Sequence, residues 1–387
     1  MDDDLAERRR RGLHRVRRRM QSVQGAYVRW QGREFLNFSS NDYLGLAGDP
    51  RLAIAASRAA RRYGCGAGAS ALVSGYLPPL RKLERELAAW EGQEAALVFS
   101  SGFAANLAVV STLAGDSDAI FSDAWNHASL IEGCRLSRAS TSVYRHTDLG
   151  HLTALLRSKG SAARRRFIVT DSVFSMDGDL APLRELLELA EQFDAMVVLD
   201  EAHATGVIGE HGRGVTDLLS ASAKLERLIK VGTLSKALGA QGGFVVGSRT
   251  LIDYLINFAR PYVFSTALAP PAAAAARQAV RVVQEQPQLR QGLLAQASRL
   301  REELRALGYD VGASVCHVIP LIVGESQTAI SLSNKLRAGG VLVPAIRPPS
   351  VPDGTARLRI GLTSAHTPEH VNQLLDVLKT SDCHTAE

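Results

Sequence analysis

The chain has 387 residues, of which 46% are hydrophobic and 22% are charged, and its formal net charge is +6. The length exceeds one ordinary domain core, and the balance of apolar and charged residues excludes a disordered or fibrous protein. The positive charge admits nucleic acid, anionic membranes and phosphorylated small molecules as partners, without choosing among them.

The N-terminal segment runs from three aspartates, Asp2 to Asp4, into an arginine cluster that includes Arg8 to Arg11 and Arg17 to Arg19. No apolar stretch follows these charges, so we expect neither a secretory signal nor a membrane span. We interpret the cluster as the solvated face of an amphipathic N-terminal helix. The cysteines are scattered without a C-x-x-C pair, which indicates no disulfide framework and no metal site. We therefore expect a cytoplasmic protein.

From about residue 95 onward, short apolar runs alternate with helical stretches. The runs cover residues 95–99, 119–121, 167–170, 195–199, 228–231 and 244–246. This alternation predicts parallel strands joined by crossover helices, and hence an α/β doubly wound sheet. Each run ends in a cluster of Gly, Ser, Asp, His or Thr. Ligands of such sheets bind beyond the carboxyl ends of the strands, so these clusters are the candidate site.

The last third of the chain has a different pattern. Residues 270–307 are rich in Ala, Arg and Leu and predict long helices, whereas short strands at 318–323, 340–343 and 356–362 flank a helix at 329–338. This pattern is typical of a smaller α+β lobe. We predict a helical arm and small segment at 1–45, a large α/β domain at 46–285 and a smaller C-terminal domain at 286–387.

Among the seven lysines, Lys236 has the most unusual surroundings. It follows the apolar run 228–231 in a loop of small residues bracketed by Gly232 and Gly239. An amine among apolar and small groups is desolvated, which lowers its pKa and makes it a nucleophile able to form a Schiff base. By itself this sign is weak, because most loop lysines are solvated surface charges.

Asp200 ends the apolar run 196–199, and His203 follows it closely. A carboxylate at the end of a buried strand needs a partner. In pyridoxal-phosphate enzymes a carboxylate keeps the ring nitrogen protonated while a lysine carries the aldehyde. Asp200 and Lys236 match that division of labour.

Three further polar clusters follow predicted strands. Gly102 and Phe103 begin a predicted helix, where backbone N–H groups are suited to a phosphate. His127 follows the next run, where its imidazole could stack on a cofactor ring, and Ser175 offers a hydroxyl to the ring oxygen. A turn or a helix cap would explain each cluster alone, so only their combination carries weight.

Two other motifs point to different functions. Residues 200–203 spell D-E-A-H, the magnesium-binding string of one helicase class, but the phosphate-binding string G-x-x-x-x-G-K-[ST] is absent from the sequence. Residues 64–68 hint at a dinucleotide-binding loop, yet they follow no clear strand.

Taken together, the motifs closely resemble the α-oxoamine synthases, the fold-type I pyridoxal-phosphate enzymes that condense an amino acid with an acyl-CoA. The likeness covers nearly the whole chain and includes residues 37–46, 72–75, 101–106, 173–179, 200–206 and 233–236. It implies a large, mostly parallel sheet domain, a smaller α+β C-terminal lobe and an N-terminal arm. Residues 345–359 are similar to the members that join L-alanine to a pimeloyl thioester in biotin synthesis, and differ from the members that use glycine or serine.

The resemblance also implies a role for each matching residue. Lys236 would carry the cofactor and remove the alanine α-proton, Asp200 would face the pyridine nitrogen, and His127 would stack on the ring. The other cofactor contacts would be Gly102, Phe103, Ser175, His203, Thr233 and, from the neighbouring subunit of a homodimer, Ser265 and Thr266. The substrate contacts would be Arg17, Asn41, Ser74, Ser350 and Arg359.

Some positions depart from the family pattern. Ser350 stands where threonine is usual, Asp171 where glutamate is common, and residues 67–71 replace a more glycine-rich stretch. Chain-length discrimination depends on a methylene-scale difference of only ~1–3 kcal/mol, so these changes affect the acyl assignment more than the cofactor chemistry. The alternatives are a family member that makes 2-amino-3-oxobutyrate from glycine and, from another class, a nucleic-acid-binding protein. We expect no nucleic-acid and no membrane partner.

Overall fold

The structure is a computed structural model, and it describes residues 1–10, 13–220 and 225–380. Arg11 of the arginine cluster, the lysine Lys224 and the cysteine Cys383 lie outside the described residues. The N-terminal part contains the elements α1 Asp2–Arg10, β1 Tyr27–Trp30, β2 Arg33–Asn37, α2 Pro50–Tyr63, a π-helical turn Ala71–Gly75 and α3 Pro78–Glu91. Within the described ranges, no helix combines the length and the apolar character needed to cross a membrane.

A seven-stranded sheet forms the centre of the molecule. Its strands are β3 Ala95–Phe99, β4 Ala119–Asp123, β5 Ser140–Tyr144, β6 Arg166–Asp171, β7 Ala195–Asp200, β8 Leu228–Thr233 and β9 Gly243–Gly247. Their order is β3-β9-β8-β7-β6-β4-β5. The helices that accompany them are α4 Gly102–Leu113, α5 Ala128–Leu136, α6 Leu149–Lys159, α7 Leu183–Gln192, α8 Arg249–Phe258 and α9 Arg260–Val263.

Both faces of this sheet are buried. Side chains alternate along a strand, so Val197 and Leu199 of β7 enter one hydrophobic cluster while Val198 enters another on the opposite face. Parallel strands covered on both faces have nearly continuous apolar sequences, which is the pattern that the sequence shows. The polar residues that end each strand therefore stand out at one edge of the sheet.

The C-terminal part builds a smaller lobe. Its elements are α10 Pro270–Glu285, α11 Gln288–Ala306, β10 Val318–Gly324, α12 Ser326–Ala338, β11 Val341–Leu342, β12 Ala345–Ile346, β13 Ala356–Gly361 and α13 Pro368–Lys379. Strand β13 pairs antiparallel with β10 and with β12. Strand β11 pairs parallel with β2, so the N-terminal hairpin and the C-terminal lobe share a small sheet.

The predicted α/β fold with a large, mostly parallel sheet is confirmed, and each of the six apolar runs forms a strand. Three details differ. Strand β9 runs antiparallel to both neighbours, and the rather polar edge strand β5 was not anticipated. The interpretation of an amphipathic N-terminal helix is wrong, because α1 contains no buried residue. Residues 64–68 follow a helix, as expected for a loop without dinucleotide function. The domain limits stay a prediction.

Candidate active site

The candidate residues lie where five strands of the large sheet end. Gly102 follows β3, His127 follows β4, Ser175 follows β6, and Asp200 is the last residue of β7. Lys236 follows β8 by three residues. Strands β4, β6, β7 and β8 are parallel neighbours, so their carboxyl ends meet at one edge. The edge of the sheet thus brings together residues that the sequence separates by more than a hundred positions.

Lys236 lies beyond the end of β8, and its side chain is only partly exposed. Burial lowers the pKa of Lys236 to about 8; the carboxylates of Asp200 and Asp171 raise it, and the nearby Arg359 lowers it. A lysine with this pKa carries an uncharged, nucleophilic amine in a substantial fraction of molecules near neutral pH. The side chain therefore has the property that its sequence surroundings predict.

Asp200 is buried and held by two hydrogen bonds. Its Oδ2 accepts from Nδ2 of Asn106 at 2.6 Å, and its Oδ1 accepts from the backbone N–H of Ala202 at 2.8 Å. Nδ2 of Asn106 also lies 2.9 Å from Oγ of Ser129. These donors fix the carboxylate without neutralising its charge, so the orientation of Asp200 is set before any ligand binds.

Asp171 lies opposite Asp200 in the register of the adjacent strand. Its Oδ2 accepts from the backbone N–H of His127 at 2.6 Å. Burial and the neighbouring charge of Asp200 raise the pKa of Asp171 well above its usual value. Burial and the neighbouring charge therefore favour the neutral form of Asp171.

His127 is the N-cap of α5, and its Nδ1 lies 2.7 Å from Oγ of Ser129. Burial lowers the pKa of His127, Asp200 raises it, and Lys236 lowers it. The ring of Phe103 lies edge-on to the imidazole, with 6.4 Å between the ring centroids. His127 is thus a largely neutral ring, held by its own helix cap and close to both Asp200 and Lys236.

The turn between β3 and α4 packs directly on the ends of β8 and β9. A Cβ atom on Gly102 would lie 3.1 Å from Oγ1 of Thr233, and a Cβ atom on Gly243 would lie 2.5 Å from Cα of Gly102. Ser101 caps the helix by accepting from the N–H of Ala104. In the part of the chain that the structure describes, the N–H groups of Gly102 and Phe103 have no hydrogen-bond acceptor, which suits them to an anion.

Arg359 of β13 extends its guanidinium from the small lobe toward the large sheet. Its Nε donates to the backbone oxygen of Ser175 at 2.5 Å, and its Nη1 donates to Oδ1 of Asn41 at 3.1 Å. Its Nη2 donates to the hydroxyl of Tyr43 at 3.1 Å, and that hydroxyl lies 2.6 Å from Nδ1 of His203. One network therefore joins the predicted substrate residues Arg359 and Asn41 to the predicted cofactor residue His203.

A second charged cluster lies at the same edge of the sheet. Nδ1 of His146 lies 3.0 Å from Oδ1 of Asp123, and its Nε2 lies 2.8 Å from Oδ2 of Asp179. The indole of Trp125 stacks on the imidazole with 3.8 Å between centroids. The two carboxylates raise the pKa of His146 to about 9 against the effect of burial, so the imidazole is a cation that ties three loops together.

Five predicted residues show no hydrogen bond or ion pair that joins them to these clusters within the described ranges. Arg17, Ser74, Thr266 and Ser350 are exposed, and Ser265 is half-buried. The backbone N–H of Ser350 donates to the oxygen of Arg347, a local turn contact. Their proposed roles stay predictions.

Sequence reasoning assigned no role to several residues that the structure places in the site. Tyr43 and Asn106 lie within motifs that were noted, at residues 37–46 and 101–106, and their position in those motifs was the available signal. His317 is fully buried, its ring lies 4.0 Å from that of Tyr43 between centroids, and neither ring nitrogen has a hydrogen-bond partner among the described residues. No sequence pattern identified it.

The groups at this edge of the sheet fit pyridoxal phosphate. They offer a desolvated amine, an oriented carboxylate, a neutral imidazole and a glycine turn with N–H groups free for an anion. No group of three or more His, Cys, Asp or Glu side chains arranged to hold a metal occurs in the described part of the chain.

The family model for aminotransferase class I and II matches residues 33–378. The chain therefore belongs to this family of transferases, and its interpretation as an enzyme is confirmed. A curated relative from Anaeromyxobacter dehalogenans (strain 2CP-1 / ATCC BAA-258), named 8-amino-7-oxononanoate synthase, is 48% identical over 368 residues, covering 95% of this chain and 92% of the relative. The predicted resemblance to the α-oxoamine synthases, and among them to the 8-amino-7-oxononanoate synthases, is thereby confirmed.

Solved structures agree with this assignment. A serine palmitoyltransferase from S. paucimobilis with bound PLP matches with a TM-score of 0.92 and 29% identity, covering 98% of this chain and 96% of that chain. The 8-amino-7-oxononanoate synthase from Francisella tularensis matches with a TM-score of 0.76 and 30% identity, covering 89% of this chain and 97% of that chain. The predicted fold-type I architecture is confirmed by these likenesses.

Proposed function

We propose that the chain catalyses the decarboxylative condensation of L-alanine with a pimeloyl thioester, using pyridoxal phosphate, to give 8-amino-7-oxononanoate, the free thiol and carbon dioxide. The pairing of Lys236, with its pKa near 8, and the oriented carboxylate of Asp200 at the ends of adjacent strands carries this proposal. The name of the curated relatives supports the choice of substrates.

The residues around the cleft divide the contacts to the cofactor among them. Lys236 would hold the aldehyde carbon, Asp200 the pyridine nitrogen and His127 the ring face. Gly102, Phe103 and Thr233 would surround the phosphate, and Ser175 and His203 would hydrogen-bond the ring oxygen. When bound, pyridoxal phosphate supplies an electron-accepting ring for the charge that develops at Cα during deprotonation and decarboxylation.

Lys236 would also move the proton at Cα. Its amine is partly uncharged near neutral pH, because burial lowers its pKa to about 8, so it accepts the alanine α-proton without a large energetic penalty. Asp200 would face the pyridine nitrogen, whereas the raised pKa of Asp171 favours the neutral form of that carboxyl group. The neighbouring carboxylates thus have separate tasks.

Arg359 would bind the carboxylate of alanine. Three of its N–H groups already donate to Ser175, Asn41 and Tyr43, and one N–H on each terminal nitrogen remains for a ligand. Asn41 and Tyr43 occupy the fork between the two terminal nitrogens, so each remaining N–H can donate to one ligand oxygen. Arg17, Ser74 and Ser350 would line the acyl end of the cleft.

Turnover of alanine and of glycine with pimeloyl-CoA tests the proposal directly. We expect condensation product from alanine and little from glycine, together with a visible absorption band that changes when alanine is added. A preference for glycine would transfer the assignment to an enzyme making a 2-amino-3-oxo acid. The absence of any visible band would contradict pyridoxal-phosphate chemistry.

We also propose that the working unit is a homodimer in which Ser265 and Thr266 reach the phosphate of the partner's site. These residues follow α9, and the backbone N–H of the next residue, Ala267, donates to the oxygen of Ala69. The nearby side chains of Phe264 and Val73 are 71% and 79% exposed, which supports a surface that a second copy covers.

A subunit-mixing experiment tests this arrangement. Lys236→Ala and Thr266→Glu proteins should each be inactive, while a refolded mixture should regain activity because the hybrid dimer has one site with both parts intact. Mass measurement establishes that subunits have exchanged. An exchanged mixture without activity would rule out the shared site.

A further inference from the structure

Tyr43 lies between the predicted substrate residues Arg359 and Asn41 and the predicted cofactor residue His203. Its side chain is fully buried, and its hydroxyl lies within hydrogen-bond distance of three polar groups. These are Nδ1 of His203 at 2.6 Å, Nη2 of Arg359 at 3.1 Å and Oδ1 of Asn41 at 3.1 Å. A single hydroxyl has one proton to donate, so the arrangement of its neighbours decides which of them receives it.

Arg359 removes one possibility. A guanidinium only donates, so the 3.1 Å contact from Nη2 uses a lone pair of the Tyr43 oxygen. Oδ1 of Asn41 already accepts from Nη1 of Arg359. The hydroxyl proton therefore goes either to Nδ1 of His203 or, as a second bond, to the occupied amide oxygen of Asn41.

The two distances favour His203. Hydrogen bonds donated by a hydroxyl are shorter, typically ~2.7–2.8 Å, than those donated by an N–H group, typically ~2.9–3.0 Å. The contact with Nδ1 of His203 measures 2.6 Å, whereas the contact with Asn41 measures 3.1 Å. The hydroxyl of Tyr43 is thus the donor to Nδ1, and this nitrogen carries no proton of its own.

The charge state of His203 completes the assignment. Burial and the nearby cations Lys236 and Arg359 hold the pKa of His203 well below its usual value, so the imidazole is neutral. A neutral imidazole has one N–H, and with Nδ1 accepting from Tyr43 that proton lies on Nε2. No hydrogen bond to Nε2 occurs among the described residues, so this N–H remains for a ligand.

We propose that Tyr43 is a positioning residue that fixes His203 in the tautomer with its proton on Nε2, and that Arg359 orients the Tyr43 hydroxyl for this task. The side chain of His203 can then only donate into the site, which matches an anionic ligand oxygen. This last point rests on the proposed function, in which His203 meets the ring oxygen of the cofactor.

Nitrogen NMR of the purified, cofactor-loaded protein with ¹⁵N-labelled histidine tests the tautomer. Long-range correlations distinguish a protonated Nε2 from a protonated Nδ1, and loss of signals in His203→Gln assigns the spectrum. We expect the Nε2–H pattern for His203, unchanged between about pH 6 and 9 because the pKa lies lower. An Nδ1–H pattern would overturn the proposal.

Two variants test whether His203 or Asn41 accepts the hydroxyl proton of Tyr43. In Tyr43→Phe, the Nδ1 signal of His203 should move toward that of an unbonded nitrogen. In Asn41→Ala it should remain in place, since Asn41 is not the acceptor of the hydroxyl proton. A signal that stays fixed in Tyr43→Phe, or that moves in Asn41→Ala but not in Tyr43→Phe, would contradict the assignment.

Kinetics and a matched control distinguish positioning from a general loss of stability. Tyr309→Phe removes another buried hydroxyl, one that bonds the oxygen of Leu378 in the small lobe, and should leave His203 and turnover unchanged. Tyr43→Phe should lower kcat with alanine about tenfold or more, the scale of a lost hydrogen bond to a site group. Equal kcat in both variants would argue against the role.

The outcome is independent of whether the substrates are correctly assigned. Wild-type protein that shows the Nε2–H pattern but no turnover of alanine would refute the proposed function and leave the role of Tyr43 standing. Wild-type protein that turns over alanine with His203 protonated on Nδ1 would refute the role of Tyr43 alone.

Discussion

His203 and His146 lie at the same edge of the central sheet, yet they are in opposite charge states. Burial, together with the nearby cations Lys236 and Arg359, holds the pKa of His203 well below its usual value. His146 lies between the carboxylates of Asp123 and Asp179, which raise its pKa to about 9. Burial lowers the pKa of both histidines, so their different charge states depend on whether cations or carboxylates surround the ring.

The contrast separates two tasks. The neutral His203 presents a hydrogen-bond donor to the cleft and adds no charge to a region that already contains two cations. The charged His146 joins the loop that precedes His127 to the loop that contains Ser175, through Asp123 and Asp179 respectively. One cluster is suited to a ligand, and the other holds the ligand-binding loops in place.

Removing the amine of Lys236 should have the largest effect on turnover. Lys236→Ala should abolish turnover, because no other lysine of the described residues lies in a strand-end loop of small residues, whereas the exposed Lys159→Ala should remain active. Borohydride reduction of the wild-type protein followed by peptide mapping measures which lysine is bound to the cofactor. A label on Lys230, which is buried but paired with Glu91 at 2.6 Å, would refute the assignment.

Neutralising the carboxylate of Asp200 should have the next largest effect on turnover. Asp200→Asn should fold normally but lower kcat about 10²–10³-fold, since a fixed charge no longer stabilises the developing charge on the ring. Asp171→Asn is the matched control, because the pKa of Asp171 is raised and an amide oxygen can still accept from His127. Similar losses in both variants would show that the two carboxylates are not distinct.

The cluster of His146, Asp123 and Asp179 should contribute more to stability than to turnover. His146→Gln leaves the buried carboxylate of Asp123 and the half-buried carboxylate of Asp179 with a single amide between them, and the loss should approach the ~3–5 kcal/mol of a broken buried ion pair. We expect a lower free energy of unfolding in urea, with a smaller change in kcat than for Asp200→Asn. His151→Gln, in the first turn of α6, is the control; an equal loss of stability there would remove the special role of His146.

His146 and His203 should affect the stability of the protein over different pH ranges. The pKa of His146 is raised when the protein folds, so its contribution is complete below about pH 6.5 and is lost as the pH rises through about 9. The pKa of His203 is lowered, so its effect appears only as the pH falls below about 6.5. The difference between wild type and His146→Gln should therefore shrink in alkali; a difference that grows there would contradict the charged state.

The sequence predicts the parts of this site that depend on local pattern. The apolar runs predict six of the seven strands of the large sheet, and the small-residue loop singles out Lys236. The roles of Tyr43 and His146 depend on distant partners such as Arg359 and Asp179, so the motif that contains Tyr43 indicates its place in the site but not its task. The direction of β9 is likewise invisible in its sequence, because a buried strand is equally apolar in either orientation.

The parallel pairing of β2 with β11 has a consequence for the order of events during synthesis. The hydroxyl of Ser39 donates to the backbone oxygen of Leu342, 303 residues farther along the chain. The hairpin of β1 and β2 leaves the ribosome early, but its third strand is made near the end of translation. Because contacts of such long sequence separation form slowly, the first strands must wait with an open edge while the central sheet assembles. Residues 37–46, with Asn41 and Tyr43, thus reach their final positions only when almost all of the protein has been made.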